Sequence, residues 1–247
     1  MPEPLLLSEQ PRPGALALPI ADRANVALAT GVALAGKPVI VELSSTQRLL
    51  ASVEALAEAA SMGARLPMVV TVPYGDEAGA RVDRPVLDTL ATLPGLAVVC
   101  ASTAASADPL TASLLDAGRP AVLLVPRTLG QGPARLAPTR LREGAHATVL
   151  AWGAGVDAAL DAADTLAREG LELTVVDLVQ LHPLPSQAVA TWVSATGRLL
   201  VAGETAFATR ALLLGLQGAF WHLEAPPTAC APNSTAIAAA ARETILS

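Results

Sequence analysis

The chain has 247 residues, of which 52% are hydrophobic, 15% charged and 2% aromatic, with a mean hydropathy of +0.49; its apolar content is aliphatic and disorder is excluded. The net charge is -6 and Lys37 is the single lysine, so the basic footprint of a nucleic-acid binder is missing and no nucleic-acid partner is expected. A chain of this length buries roughly three quarters of its unfolded surface, which suffices for one large domain or two of ordinary size.

The N-terminal stretch MPEPLLLSEQPRPGALALPI carries Glu3 where a secretory leader would carry positive charge, and five prolines interrupt it. A cytoplasmic protein is expected. No run of 18 uninterrupted apolar residues occurs, so no membrane span and no membrane partner are expected. Further along, short apolar runs at 39–43, 68–72, 96–100, 121–125, 148–152, 173–179 and 199–202 read as strands. They are continuous rather than alternating, as in a parallel sheet covered on both faces. Helices are predicted between them. Residues 47–62 align Leu49, Val53, Leu56 and Ala60. Residues 155–169 set Val156, Ala159, Leu160, Ala163 and Leu166 opposite Asp157, Asp161, Asp164 and Arg168, with Gly170 as the stop. A third helix, 184–196, has Pro185 in its first turn and ends at Gly197. Alternation of strand and helix makes the class α/β, with two mainly parallel sheets flanked by helices. Residues 126–147 lack an apolar period and read as a linker, which divides the chain into a domain at 15–126, a linker at 127–145 and a second domain at 146–247.

Several residues invite a functional reading and also have a plainer one. Ser44-Ser45-Thr46 has the chemistry of a phosphate cradle or of a helix N-cap. Gly153, Gly155 and Ala158 fit a relaxed dinucleotide loop, with Asp177 at the distance of a ribose partner, and equally fit a tight strand-to-helix turn. Asp76, Glu77, Arg81, Asp83 and Arg84 form a charged loop, solvated or polar-site in character. His146, His182 and His222 are isolated from one another and from Cys100 and Cys230, so no metal site is expected and the thiols read as reduced and buried.

Pro19-Ile20-Ala21-Asp22 before a small-residue helix, Pro73-Tyr74-Gly75, Pro94-Gly95-Leu96 with Val98-Val99 and Ser102-Thr103, and Arg119-Pro120-Ala121-Val122 occur in this order. Arg142-Glu143-Gly144, Val175-Val176-Asp177-Leu178, Leu181-His182-Pro183-Leu184 and Thr196-Gly197-Arg198-Leu199 with Glu204 follow. The set resembles the beta subunit of the thiamine-diphosphate-dependent decarboxylating component of 2-oxo acid dehydrogenases, in the transketolase group. The resemblance implies a pyrimidine-binding domain followed by a transketolase C-terminal domain. It implies an alpha-type partner, or a second copy, that holds diphosphate and magnesium, so thiamine diphosphate is expected only in the assembly. The beta side supplies a carboxylate for the aminopyrimidine ring, aromatic residues beside it and a channel histidine.

At these positions the sequence departs from the family. Asp22 takes the carboxylate position, one methylene short of Glu, and is the catalytic and cofactor-binding candidate. Ser44 to Gln47 bring no ring, and the histidine position falls near Val82. The family's first strand, helix and acidic loop before Pro19 are read as largely absent. The expected function is a divergent beta-type subunit, impaired or inactive alone and acting in assembly. An active subunit with altered substrate and a binding module on the same scaffold are the alternatives. The apolar run from Ala211 to Trp221 is richer than one helix face needs and suggests a subunit interface.

Overall fold

The computed structural model describes residues 3–19, 21–74, 83–203, 223 and 227–246, without the side chains at 22 and 83–86. The apolar run at 211–221, Asp76, Glu77, Arg81, Val82, Glu204 and His222 therefore lie outside the described residues.

In chain order the first half holds β1 (Leu5–Ser8), β2 (Ala15–Ala17), α1 (Asp22–Leu34), β3 (Val39–Glu42), α2 (Thr46–Ala51), α3 (Val53–Ser61), β4 (Met68–Tyr74), α4 (Asp83–Leu90), β5 (Ala97–Cys100), α5 (Ala107–Ala117) and β6 (Ala121–Pro126). The second half holds β7 (Thr139–Arg142), β8 (Ala147–Ala151), α6 (Gly155–Ala167), β9 (Leu173–Asp177), β10 (Gln180–His182), α7 (Ser186–Thr196), β11 (Leu199–Ala202), β12 (Thr228–Cys230) and α8 (Ser234–Leu246). Seven strands form one sheet in the order β10-β5-β6-β4-β3-β1-β2, and five form another in the order β12-β11-β8-β9-β7. All pairs are parallel except β10 with β5 and β7 with β9. Their central strands are buried on both faces, as the continuous apolar runs require.

Four features differ from the sequence reading. Two strands precede Pro19, so the first strand is present rather than absent. The connection at 9–14 is short of the roughly dozen residues that a parallel crossover takes, which leaves no length for a helix between them. β7 lies inside the stretch read as a linker. Its sequence, TRLR, has one apolar residue, and as an edge strand it needs no more. The helix read at 47–62 is broken at Ser52, whose Oγ donates to the Arg48 carbonyl at 2.9 Å while its backbone stays near ψ -1°. Finally, the strand read at 173–179 ends at Asp177. The Leu178 N–H donates to Ala151 of the second sheet, whereas the Val179 carbonyl accepts from Cys100 of the first. Val179 has φ 50°, and this turn carries the chain across to β10.

That crossing fuses the hydrophobic cores. Leu124 and Val98 of the first sheet share one buried cluster with Leu150, Trp152 and Val176 of the second. Gly203 closes it from beneath: a Cβ there would overlap the Trp152 ring, which is 4% exposed. We expect Gly203→Ala to cost about 1 to 3 kcal/mol by forcing this ring from its site. A lower denaturant midpoint together with a changed tryptophan emission would report it.

Candidate functional site

Parallel sheets bind ligands beyond the carboxyl ends of their strands, where the strand order reverses. Here the chain passes from β1 outward to β2 and returns to β3 on the other side of β1, so the reversal lies between β1 and β3. A cleft of about 530 Å³ opens at that place, across the carboxyl ends of β1, β3, β4 and β6. This volume is within the range of small-ligand sites. Glu9, Glu42, Ser44, Thr71, Pro73 and Arg127 contribute to its lining.

Two carboxylates set its polarity. Glu9 Oε2 accepts from the Ser44 backbone N–H at 3.2 Å and from Ser44 Oγ at 2.8 Å, while Oε1 is buried without a hydrogen-bond partner among the described residues. Glu42, at the end of β3, accepts from Arg12 Nη1 at 2.5 Å. Ser44 is thus committed to Glu9, and Ser45 Oγ accepts from the Arg48 N–H at 3.4 Å as the N-cap of α2. The serines serve the fold rather than a phosphate cradle. No aromatic ring lines the cleft among the described residues, and the nearby Tyr74 is turned into the core.

Asp22 is the first residue of α1, directly after the Ala21 N-cap; its side chain lies outside the described residues. The Asn25 amide donates to the Pro19 carbonyl at 3.0 Å and ties this entry turn to the helix.

The remaining candidates are structural. Glycines at 153 and 155 answer to packing: a Cβ at Gly153 would lie 2.9 Å from Pro126 Cγ and 3.1 Å from Cys100 Sγ, and one at Gly155 would lie 3.1 Å from Pro232 Cβ. Close packing at the start of α6 therefore accounts for both glycines. Asp177 is no ribose partner, because its side chain is 0% exposed. It accepts from Ser102 Oγ, from Arg135 Nη1 at 3.2 Å and from the Val179 N–H at 3.2 Å. Burial nevertheless holds its carboxyl above the usual range, and those hydrogen bonds only partly offset the shift. The network joins three segments far apart in the chain, and sequence reading missed it. Only an Asp at the end of an otherwise apolar strand hinted at it.

His146 Nδ1 accepts from the Glu172 N–H at 2.9 Å and pins a turn. His182 sits half-buried on β10. Burial lowers its pKa, the backbone of Leu93 opposes that shift, and Arg119 adds to it. Burial pushes the Cys230 thiol up to about 11 and the Cys100 thiol further, so neither is a nucleophile at neutral pH. Among the described residues no group of three His, Cys, Asp or Glu side chains is placed to hold a metal ion, and no helix is long and apolar enough to cross a membrane.

Residues 138–247 match the profile of the transketolase C-terminal domain. The chain is 30% identical over 233 residues to the pyruvate dehydrogenase E1 component subunit beta of Leifsonia xyli, covering 84% of this chain and 68% of that one. It belongs to the E1 beta-subunit family. A second family member, the corresponding subunit of Acholeplasma laidlawii, is 28% identical over 85% of this chain and 71% of its own. The 2-oxoisovalerate dehydrogenase subunit beta of Bacillus subtilis is 29% identical over 75% and 63% respectively. The fold of this E1 beta-type chain matches that of a split-gene transketolase, solved as an inactive beta4 tetramer, with a TM-score of 0.78 and 18% identity over 94% of this chain and 84% of that one.

Proposed function

We propose that the chain is a divergent beta-type half of a thiamine-diphosphate-dependent 2-oxo acid decarboxylating component, impaired or inactive alone and acting in assembly with an alpha-type subunit or a second copy. The observation that carries this reading is the cleft at the strand-order reversal. It retains carboxylates and the volume of a heterocycle, while its described lining has no ring to stack on one. The described residues do not fit the whole cofactor, since they hold no cluster for a magnesium ion. In this reading the diphosphate and metal contacts come from the partner, and Asp22 is the beta-side carboxylate. The C-terminal unit begins with β7, so that the linker is shorter than its 127–145 span. The family relationship supports the reading.

Calorimetric titration separates the possibilities. The isolated chain is expected to bind thiamine diphosphate weakly or not at all, and the chain copurified with an alpha-type subunit to bind it saturably. Low-micromolar binding by the lone chain would sink the claim that the partner is needed. Rapid turnover of pyruvate or a branched-chain 2-oxo acid by the assembled pair would instead favour an active subunit.

A further inference from the structure

The strand order lays charge along the cleft. Glu9 directly follows β1 and Arg127 directly follows β6, while β3 and β4 lie between those strands. At about 4.8 Å per strand interval, the two positions stand roughly 14 Å apart. Glu9 lines one end of the cleft and Arg127 the other, with Glu42, Thr71, Val72 and Pro73 between them. Glu42 is already matched by Arg12. The middle is therefore neutral and partly apolar, and the ends are opposite in charge.

The acidic end has acceptor capacity to spare. Glu9 forms no ion pair among the described residues, and both of its hydrogen bonds, from the Ser44 N–H and Oγ, fall on Oε2. Oε1 is buried without a partner among the described residues. A buried acceptor without a donor carries a desolvation penalty that an incoming N–H removes. The terminal torsion of a glutamate is soft, so either oxygen can turn toward that donor.

At the basic end Arg127 is exposed, and its backbone N–H donates to the Tyr74 carbonyl at 3.1 Å, which holds the residue at the end of its strand. A guanidinium is a planar fork of donors suited to a carboxylate. A charge taken out of water is stabilised only where it is paired, so a ligand with a single charge leaves one end of the cleft unmatched. A zwitterion satisfies both ends. The two side chains take up part of the span of roughly 14 Å, and what is left suits a tether of several bonds instead of the short link of an α-amino acid. Val72 and Pro73 of β4 give such a tether apolar surface.

We propose that the chain by itself binds a linear ω-amino acid in this cleft, with the ammonium on Glu9, the methylenes over β4 and the carboxylate on Arg127. The proposal rests on the reading above in one respect, that thiamine diphosphate needs the partner and so leaves the lone chain's cleft to other ligands. Calorimetric titration of the full chain with 5-aminopentanoate, pentanoate and pentylamine tests it. The zwitterion is expected to bind saturably and more tightly than either singly charged analogue, by a factor of about 10 to 100, the worth of one hydrogen bond to a charged group. Glu9→Gln is expected to bring 5-aminopentanoate down to the affinity of pentanoate, and Arg127→Gln to bring it down to that of pentylamine. Glutamine at position 9 can still accept from Ser44, so the loop it holds is kept. Equal binding of the three probes, or no binding at millimolar concentration, overturns the proposal, as does undiminished binding of 5-aminopentanoate in both variants. Should a variant fail to fold, the three probes on the wild-type chain decide. Failure of the probes on a chain that also binds no thiamine diphosphate strikes this proposal alone, whereas tight thiamine diphosphate binding by the lone chain strikes the need for a partner.

Discussion

Replacement of Asp22 by Glu is expected to raise 2-oxo acid decarboxylation by the chain assembled with an alpha-type subunit, by a factor of about 100 to 10,000. This is the range that a correctly placed proton partner contributes. Asp is one methylene shorter than Glu, and a hydrogen bond to a carboxylate oxygen tolerates little more than about half an ångström beyond its optimum. Residue 22 opens α1, so an added methylene extends from a fixed helical position instead of from a loop that can follow it. The same start of a helix supplies the competing explanation, since an acidic residue in a first turn is stabilised by the helix dipole. The two readings part in the Asp22→Asn variant. Retention by the dipole alone predicts a loss of at most about 1 kcal/mol and no effect on assembly or rate, with Asp22→Glu equally silent. A large loss of wild-type turnover in Asp22→Asn with unaltered melting would show that Asp22 already works, and would replace the impaired subunit by an active one.

Arg135→Leu is expected to destabilise the fold by about 3 kcal/mol or more at neutral pH. Removing one member of a buried ion pair leaves the other uncompensated, which costs more than the pair itself ever contributed. Asp177 is fully buried and the Arg135 side chain is 12% exposed, so solvent cannot take over the missing contact. The pH dependence carries the sign. In the folded chain the Asp177 carboxyl is held above its ordinary value of 3.8, chiefly by burial. A group whose folded pKa is raised binds its proton more tightly in the folded state. Its contribution to stability is therefore complete below about pH 3.8 and is lost as pH rises through the folded value. Arg135 limits that loss by favouring the charged form. The penalty of Arg135→Leu should consequently be small in acid and grow with pH. Adding Asp177→Asn should remove most of it, because no charge is then left behind. Denaturant midpoints for the single and double variants across the acid-to-neutral range would measure both effects. A penalty independent of pH would mean that Arg135 contributes through packing of its stem alone.

Much of the site's scaffold was legible in the chain. The aliphatic runs later found as β3, β4, β5, β6, β8, β9 and β11 could be read because a strand buried on both faces admits almost no polar residue. The helix α6 was equally plain, with its apolar stripe and its stop at Gly170. Short edge elements were not. β2, β7, β10 and β12 are edge strands of three or four residues each, and an edge strand is specified by the neighbour it pairs with more than by its own composition. The break at Ser52 also escaped, since a serine inside an apolar period gives no warning that its hydroxyl will bond back to the preceding turn.

For the site itself the division follows the same physics. The sequence by itself determined the α/β class, the family wording from Pro19 to Leu199, the Asp in place of Glu at position 22 and the want of a ring between Ser44 and Gln47, because each is a matter of local residue identity and order. Only the tertiary structure decided that Glu9 and Ser44, 35 residues apart, meet in one cleft, that Asp177 lies beneath Ser102 and Arg135, and that β10 leaves its own sheet to join the other. Those contacts exist because burial must satisfy every polar group it encloses and cover every apolar one. The partners that do so are selected by proximity after folding, at separations over which neighbouring residues carry no signal.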